Sequence, residues 1–373
     1  MLMKIARVCS ALILTGAALG ASAAPVPVTG IGTNVEALVA SATADGNRLL
    51  VVAGRRAPGK DFGPYVEVGL VVVPATGGGA SFTRISELDG TRAEEVRYAF
   101  SATGELFFTK LAGTGAIRLG KVSSGRFVGI DIALPTALNA GDFQVASLTP
   151  LADGRLDIGV RSMGDGALVT LKPDLSVQSV RMIPRSAEFQ GALRLLPAAD
   201  KVLVVSAGGK SGLGATVHNE LAVRGPDLAA VPARQQVTGL VSGLQQSPDG
   251  TRIALATRTA LPGLITAHLF DAALAPVKQL VVVEKPSYPW PVGLLLSNTR
   301  MVALHAERGK CIATVAESSN GRQLARHDVA GSDARCARIT GAIAGARLLL
   351  VLTTTQPTAN GVDASIATVV LPL

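Results

Sequence analysis

The sequence predicts an all-β protein, a seven-bladed β-propeller with four-stranded blades. Three observations predict it. A turn signal, a charged residue and a short apolar run recur seven times along the 373 residues. The repeat spacing is close to 50 residues, which is the length of one propeller blade. No stretch of twelve or more residues keeps a helical period, whereas the apolar runs have strand length.

The chain opens with a segment that reads as an address. Residues 1–24 are MLMKIARVCSALILTGAALGASAA. Lys4 and Arg7 precede an apolar run from about Val8 to Leu19, and Ala21-Ser22-Ala23 supplies a small-x-small cleavage pattern. This predicts a secretory signal peptide over 1–23, removed after Ala23. The run is too short to span a hydrocarbon layer of ~30 Å. With the leader gone, Lys+Arg falls from 35 to 33 against 27 Asp+Glu, a charge of +6. That balance favours anionic neighbours. It excludes a nucleic-acid reading, because no basic run exceeds two residues and one Trp and three Tyr leave little for base stacking. No later apolar stretch reaches the ~18 residues of a spanning helix, so a periplasmic or secreted protein is expected.

The repeat copies follow in order: ADGNRLLVVAG at 44–54, ATGELFFTK at 102–110, ADGRLDIGVR at 152–161, AADKVLVVSA at 198–207, SPDGTRIALATR at 247–258, LSNTRMVALHA at 296–306 and IAGARLLLVLT at 343–353. Their anchors are Arg48, Glu105, Arg155, Lys201, Arg252, Arg300 and Arg347. Within a unit, a tight turn precedes a run of Val, Ile and Leu. A second apolar run follows, as in 66–75, 167–173 and 264–271, and then a more polar run, as in 176–183. Sheets packed face to face explain strands that are apolar on both sides yet poor in aromatics.

The stretch SPDGTRIALAT at 247–257 resembles the repeat of TolB-type, WD40-like propellers of bacterial envelopes. The resemblance implies that the Asp-Gly turn joins the innermost strand to the second. The other copies keep the Gly or the apolar run and lose the Ser-Pro. The last unit ends at ASIATVVLPL with no outer strand of its own. The N-terminal segment after Ala23 is therefore expected to supply that strand and close the ring over 24–373, leaving no open edge.

Signatures of chemistry are sparse. Gly209-Lys210-Ser211 resembles the end of a phosphate loop, but Val204 stands where that loop needs Gly. No Gly-x-Ser-x-Gly elbow is present. His218, His268, His305 and His327 lack zinc spacing, and no loop has calcium spacing. No catalytic residue, metal or cofactor is assigned. Cys311 and Cys336, the only cysteines after the leader, are expected to bond in an oxidising compartment, closing a loop of 26 residues worth roughly 3–4 kcal/mol. Two buried thiols on neighbouring strands are the alternative. Tyr288 and Trp290, in KPSYPWP at 285–291, either face a partner or plug the seam between blades.

Basic residues recur at the exit of the second strand: Arg55 and Arg56, Lys110, Arg161, Lys210, Arg258 and Arg308. Equivalent positions in a propeller are related by rotation, so these would share one face, and Arg55, Arg161 and Arg258 would bind an anion there. Plain solvation of loop tips is the competing reading. Two functions are expected to compete. One is a non-catalytic binding or scaffold protein of the envelope, with a protein partner or an anionic small ligand. The other is an exported hydrolase or lactonase whose carboxylates would converge from Glu87, Asp89, Glu94, Glu95, Asp142 and Glu188.

Overall fold

The computed structural model describes residues 24–60, 62–112, 115–123, 126–134, 138, 143–162, 165–183, 188–196, 200–208, 217–259, 264–283, 293–329, 335–359 and 361–373. The expected leader lies outside them.

Seven antiparallel sheets are arranged as a ring. The first strand of each blade touches its counterparts in the two adjacent blades, so these seven strands surround the axis. They are Val35–Ala42, Arg97–Phe100, Gln144–Pro150, Glu188–Arg194, Leu240–Gln246, Gly293–Leu296 and Arg335–Ala344. All seven anchors open the second strand or stand one residue before it, as the repeat predicts. Arg48, Arg252, Arg300 and Arg347 are first residues, while Glu105, Arg155 and Lys201 just precede theirs. The apolar runs at 66–75, 167–173 and 264–271 form third strands, and the polar run at 176–183 forms an outer strand. A short 3-10 turn stands at Ser86–Leu88.

The inner turns explain the motif. In blades 1, 3 and 5 the carboxylates of Asp45, Asp153 and Asp249 accept hydrogen bonds from the residues around them. Those bonds hold each carboxyl below the usual range. The following Gly46, Gly154 and Gly250 take the positive φ that closes the turn.

Seven apolar clusters lie between the blades, one at each seam. Val51 packs toward blade 7 and its neighbour Val52 toward blade 2. This is why strands read as continuous apolar runs: each sheet is buried on both faces.

The ring closes with the chain's beginning. Val26–Thr29 pairs antiparallel with Gly361–Pro372 as the outer strand of blade 7. The same short strand runs parallel to Gly78–Gly79 of blade 1, so it stitches both sides of the seam. A disulfide, Cys311–Cys336, spans the neighbouring seam. It joins the third strand of blade 6 to the inner strand of blade 7, with Cα atoms 5.2 Å apart. The pairing was legible in the sequence; its position between blades was not.

Candidate anion-binding mouth of the channel

The second strands all run the same way, so their exits lie on one face of the ring. On that face a cavity of about 1360 Å³ opens over the channel. Among the described residues its lining contains seven basic side chains, Arg56, Lys60, Arg92, Arg97, Arg161, Arg258 and Arg338, and a single acidic one, Glu94.

Two devices in the inner strands shape this mouth. A β-bulge recurs near the start of five of them, between Ala37/Val39, Val145/Ser147, Phe189/Gly191, Val241/Gly243 and Cys336/Arg338. The extra residue widens the strand there and re-aims its neighbours. Small residues follow or fill it, and Ser147, Gly191, Ser242 and Gly243 line the cavity.

The second device is a buried ionic network at the seam of blades 7 and 1. Glu36 accepts hydrogen bonds from Arg56 Nη2 and Tyr65 Oη, both at 2.9 Å, and pairs with Arg338 Nε at 3.0 Å. Arg56 also donates to the Gly63 carbonyl, and its guanidinium lies 4.3 Å from the centre of the Tyr65 ring. Tyr65 is fully buried; burial, and then the Glu36 charge, push its phenol far above the usual range. The ring lies on Gly54, where a Cβ would stand 2.4 Å from Cδ1, so only glycine fits. One carboxylate thus orients two guanidiniums and leaves the mouth with a surplus of positive charge.

Opposite, Arg161 Nη2 donates to Gln144 Oε1 at 2.9 Å, and Arg97 Nη1 donates to the Glu94 carbonyl at 3.0 Å. Burial lowers the affinity of Arg97 for its proton, and the positive charge of Arg161 lowers it further. Two guanidiniums held within mutual influence repel each other, and an anion between them would relieve the cost. The rim adds apolar surface, with Phe62 76% exposed and Val66 and Leu240 each nearly half exposed.

The expected basic residues fall in different places. Arg161 and Arg258 occupy equivalent positions, each one residue past the bulge pair, and both line the cavity. Arg55 does not line it. Its guanidinium pairs with Glu67, donates to the Ile31 carbonyl at 2.8 Å and covers the Phe82 ring at 5.2 Å. The reason is strand parity: Arg55 stands seven residues past its anchor, Arg161 and Arg258 six, and successive side chains point to opposite faces. Arg56 is therefore the blade 1 residue that enters the mouth. Lys110 donates to the Glu87 carbonyl outside the cavity. Arg308, with φ +49°, and Gly309, with φ +78°, form the two-residue turn after Glu307. Lys210, Tyr288 and Trp290 lie outside the described residues. Reading only second-strand exits missed Arg92, Arg97 and Arg338, which come from the connection into blade 2 and from inner strands.

Of the acidic residues considered for an enzyme, Glu94 alone lines the mouth among the described side chains, and Asp89 pairs with Arg84. Among the described residues no three His, Cys, Asp or Glu side chains gather as a metal site. No described helix is long and apolar enough to cross a membrane.

No family model and no curated protein sequence matches the chain. Solved structures match its fold. The Dos1 propeller aligns over 92% of this chain and 95% of its own, at 11% identity and a TM-score of 0.54. A puromycin hydrolase S511A mutant complexed with PGG aligns over 91% of this chain at 18% identity and a TM-score of 0.53; this chain spans about half, 51%, of that one. The β-propeller domain of the Trilobed protease from Pyrococcus furiosus, described as having an open velcro topology, aligns over 86% of this chain and 95% of its own, at 11% identity and a TM-score of 0.50. At these identities the likeness is one of architecture, and the chain is a seven-bladed β-propeller.

Proposed function

We propose that this protein is an exported, non-catalytic binding propeller of the bacterial envelope, akin to TolB-type, WD40-like proteins, that takes an anionic group at the mouth of its channel. The observation that carries the reading is the gathering of Arg56, Arg97, Arg161, Arg258 and Arg338 around one cavity with a single lining carboxylate among the described residues. Exposed charge pairs are worth about 1 kcal/mol or less each. Five converging guanidiniums give useful affinity where one would not. The ligand is either a small anion or an acidic surface of an envelope protein; the leader at 1–23 and the disulfide support export.

The test is calorimetric titration of the mature protein with citrate, at low and high salt. The triple variant Arg97→Ala/Arg161→Ala/Arg258→Ala should bind about tenfold more weakly or worse, a loss of ~1.4 kcal/mol or more, and its salt dependence should flatten. Arg55→Ala should bind as the parent does. Equal losses in the triple variant and in Arg55→Ala would sink the reading. Mass spectrometry of the exported protein should give a chain beginning at Ala24.

A further inference from the structure

Blade 7 departs from the other six in one respect. Its second and third strands, Arg347–Thr358 and Gly361–Pro372, are twelve residues long, against six to eight elsewhere. The extra pairs Gln356↔Asp363, Pro357↔Val362 and Thr358↔Gly361 carry the hairpin past the face of the ring that holds the mouth. The overhang meets the loop after Arg56, where a Cβ on Gly361 would stand 2.4 Å from the Gly59 carbonyl oxygen. Beneath it lies a second cavity of about 400 Å³, within the usual range of small-molecule sites.

Asn34 builds this cavity. It is 3% exposed and holds a left-handed φ of +56°, which Asn adopts more readily than other non-glycine residues. Its side chain donates to the carbonyls of Ala57 at 2.6 Å and Lys60 at 3.3 Å, and accepts the Ala364 N–H at 3.2 Å. One residue thus pins the loop and the overhanging hairpin together, so the cavity is preformed. Its walls divide by chemistry. Pro357, Val362, Ala364 and the disulfide-bonded Cys336 give an apolar side. Lys60 and Arg335, both exposed, give a basic side. The lining Glu36 is already held by Arg56, Arg338 and Tyr65.

We propose that this cavity binds a small carboxylate with an apolar body, the carboxylate against Lys60 and Arg335 and the body against Pro357, Val362 and Ala364. A neutral molecule of the same shape would lose the charge-assisted hydrogen bonds, and a bare phosphate would leave the apolar wall wet. The site is separate from the reading of the mouth. It shares only Arg56 and Lys60 with it, and neither Arg161 nor Arg258 lines it.

The test is NMR titration of the mature protein with benzoate, benzyl alcohol and inorganic phosphate in parallel. Benzoate should shift amides of residues 335–337 and 362–364 and bind about tenfold more tightly than either other probe. Lys60→Ala/Arg335→Ala, on exposed side chains, should weaken benzoate about tenfold while leaving the fold intact by circular dichroism. Ala364→Phe should abolish binding by filling the cavity. Arg161→Ala/Arg258→Ala should leave it unchanged, so failure at the mouth and failure here are told apart. Equal binding of benzoate and benzyl alcohol, equal binding of phosphate, or benzoate binding undiminished in Lys60→Ala/Arg335→Ala would each overturn the proposal.

Discussion

Asp157 and Arg194 form the most deeply buried ion pair among the described residues, 2% and 6% exposed. Arg194 clamps the carboxylate through Nε at 2.9 Å and Nη2 at 3.2 Å, while Thr170 donates to it at 2.7 Å. The pair crosses the seam between blades 3 and 4. Asp157→Ala strands a buried guanidinium and should lower stability by ~3–5 kcal/mol, whereas Asp157→Leu/Arg194→Leu should cost far less. Urea unfolding of the two variants checks the contrast. Two histidines set an acid limit. Burial holds His268 and His305 at about 4, below the ordinary 6.5. The folded protein thus disfavours the proton that the unfolded chain accepts. Their contribution is complete above pH 6.5 and is lost as the pH falls from 6.5 toward about 4, by up to about 1.4 kcal/mol per pH unit for each. Urea midpoints measured over that window should fall, and should fall less steeply in His305→Leu. At this scale the sequence was least legible. Arg55 and Arg56 are adjacent and chemically identical, yet only the second enters the mouth. Shared spacing from the anchors pointed to one face, but spacing of six or seven residues does not separate the two sides of a strand on which successive side chains alternate.

Strands were far more legible, because each is written twice, once by its turn and once by its apolar run. The Asp-Gly pairs at 45–46, 153–154 and 249–250 fixed where second strands begin, and the third strands followed from the next apolar run. The short inner strands Arg97–Phe100 and Gly293–Leu296 carried no comparable signal, since packing against neighbouring blades defines them. The disulfide belongs to this scale as well. The sequence pointed to the bond without assigning its two ends to blades, and the structure shows that it ties two blades at a seam. Cys311→Ala/Cys336→Ala should therefore lose ~3–4 kcal/mol, and should loosen blade 7 first. Hydrogen exchange with and without reductant tests it: protection should drop over 335–344 and 347–358 before it drops in blades 2 to 4.

For the molecule as a whole, the seven seams make stability a property of the closed circle rather than of any blade. Removing residues 24–30 would take away the outer strand of blade 7 and the parallel contact with Gly78–Gly79. The bare edge of Gly361–Pro372 would then invite pairing with a second molecule. The truncated chain should melt at a lower temperature and show concentration-dependent association in size-exclusion chromatography. Closure itself was legible, because the last repeat lacked an outer strand and the chain's opening had one to spare.

That closure also imposes an order of events. Val26 must meet Thr368, 342 residues further along the chain. The entropy of so long a loop is recovered only when the intervening blades have already brought the two strands near. During synthesis the first residues of the ring would wait, unpaired, for nearly the whole chain to follow. The clasp is thus a checkpoint on completeness: a chain truncated before residue 361 has no partner for its own beginning, and carries that exposed segment as a mark for proteolysis.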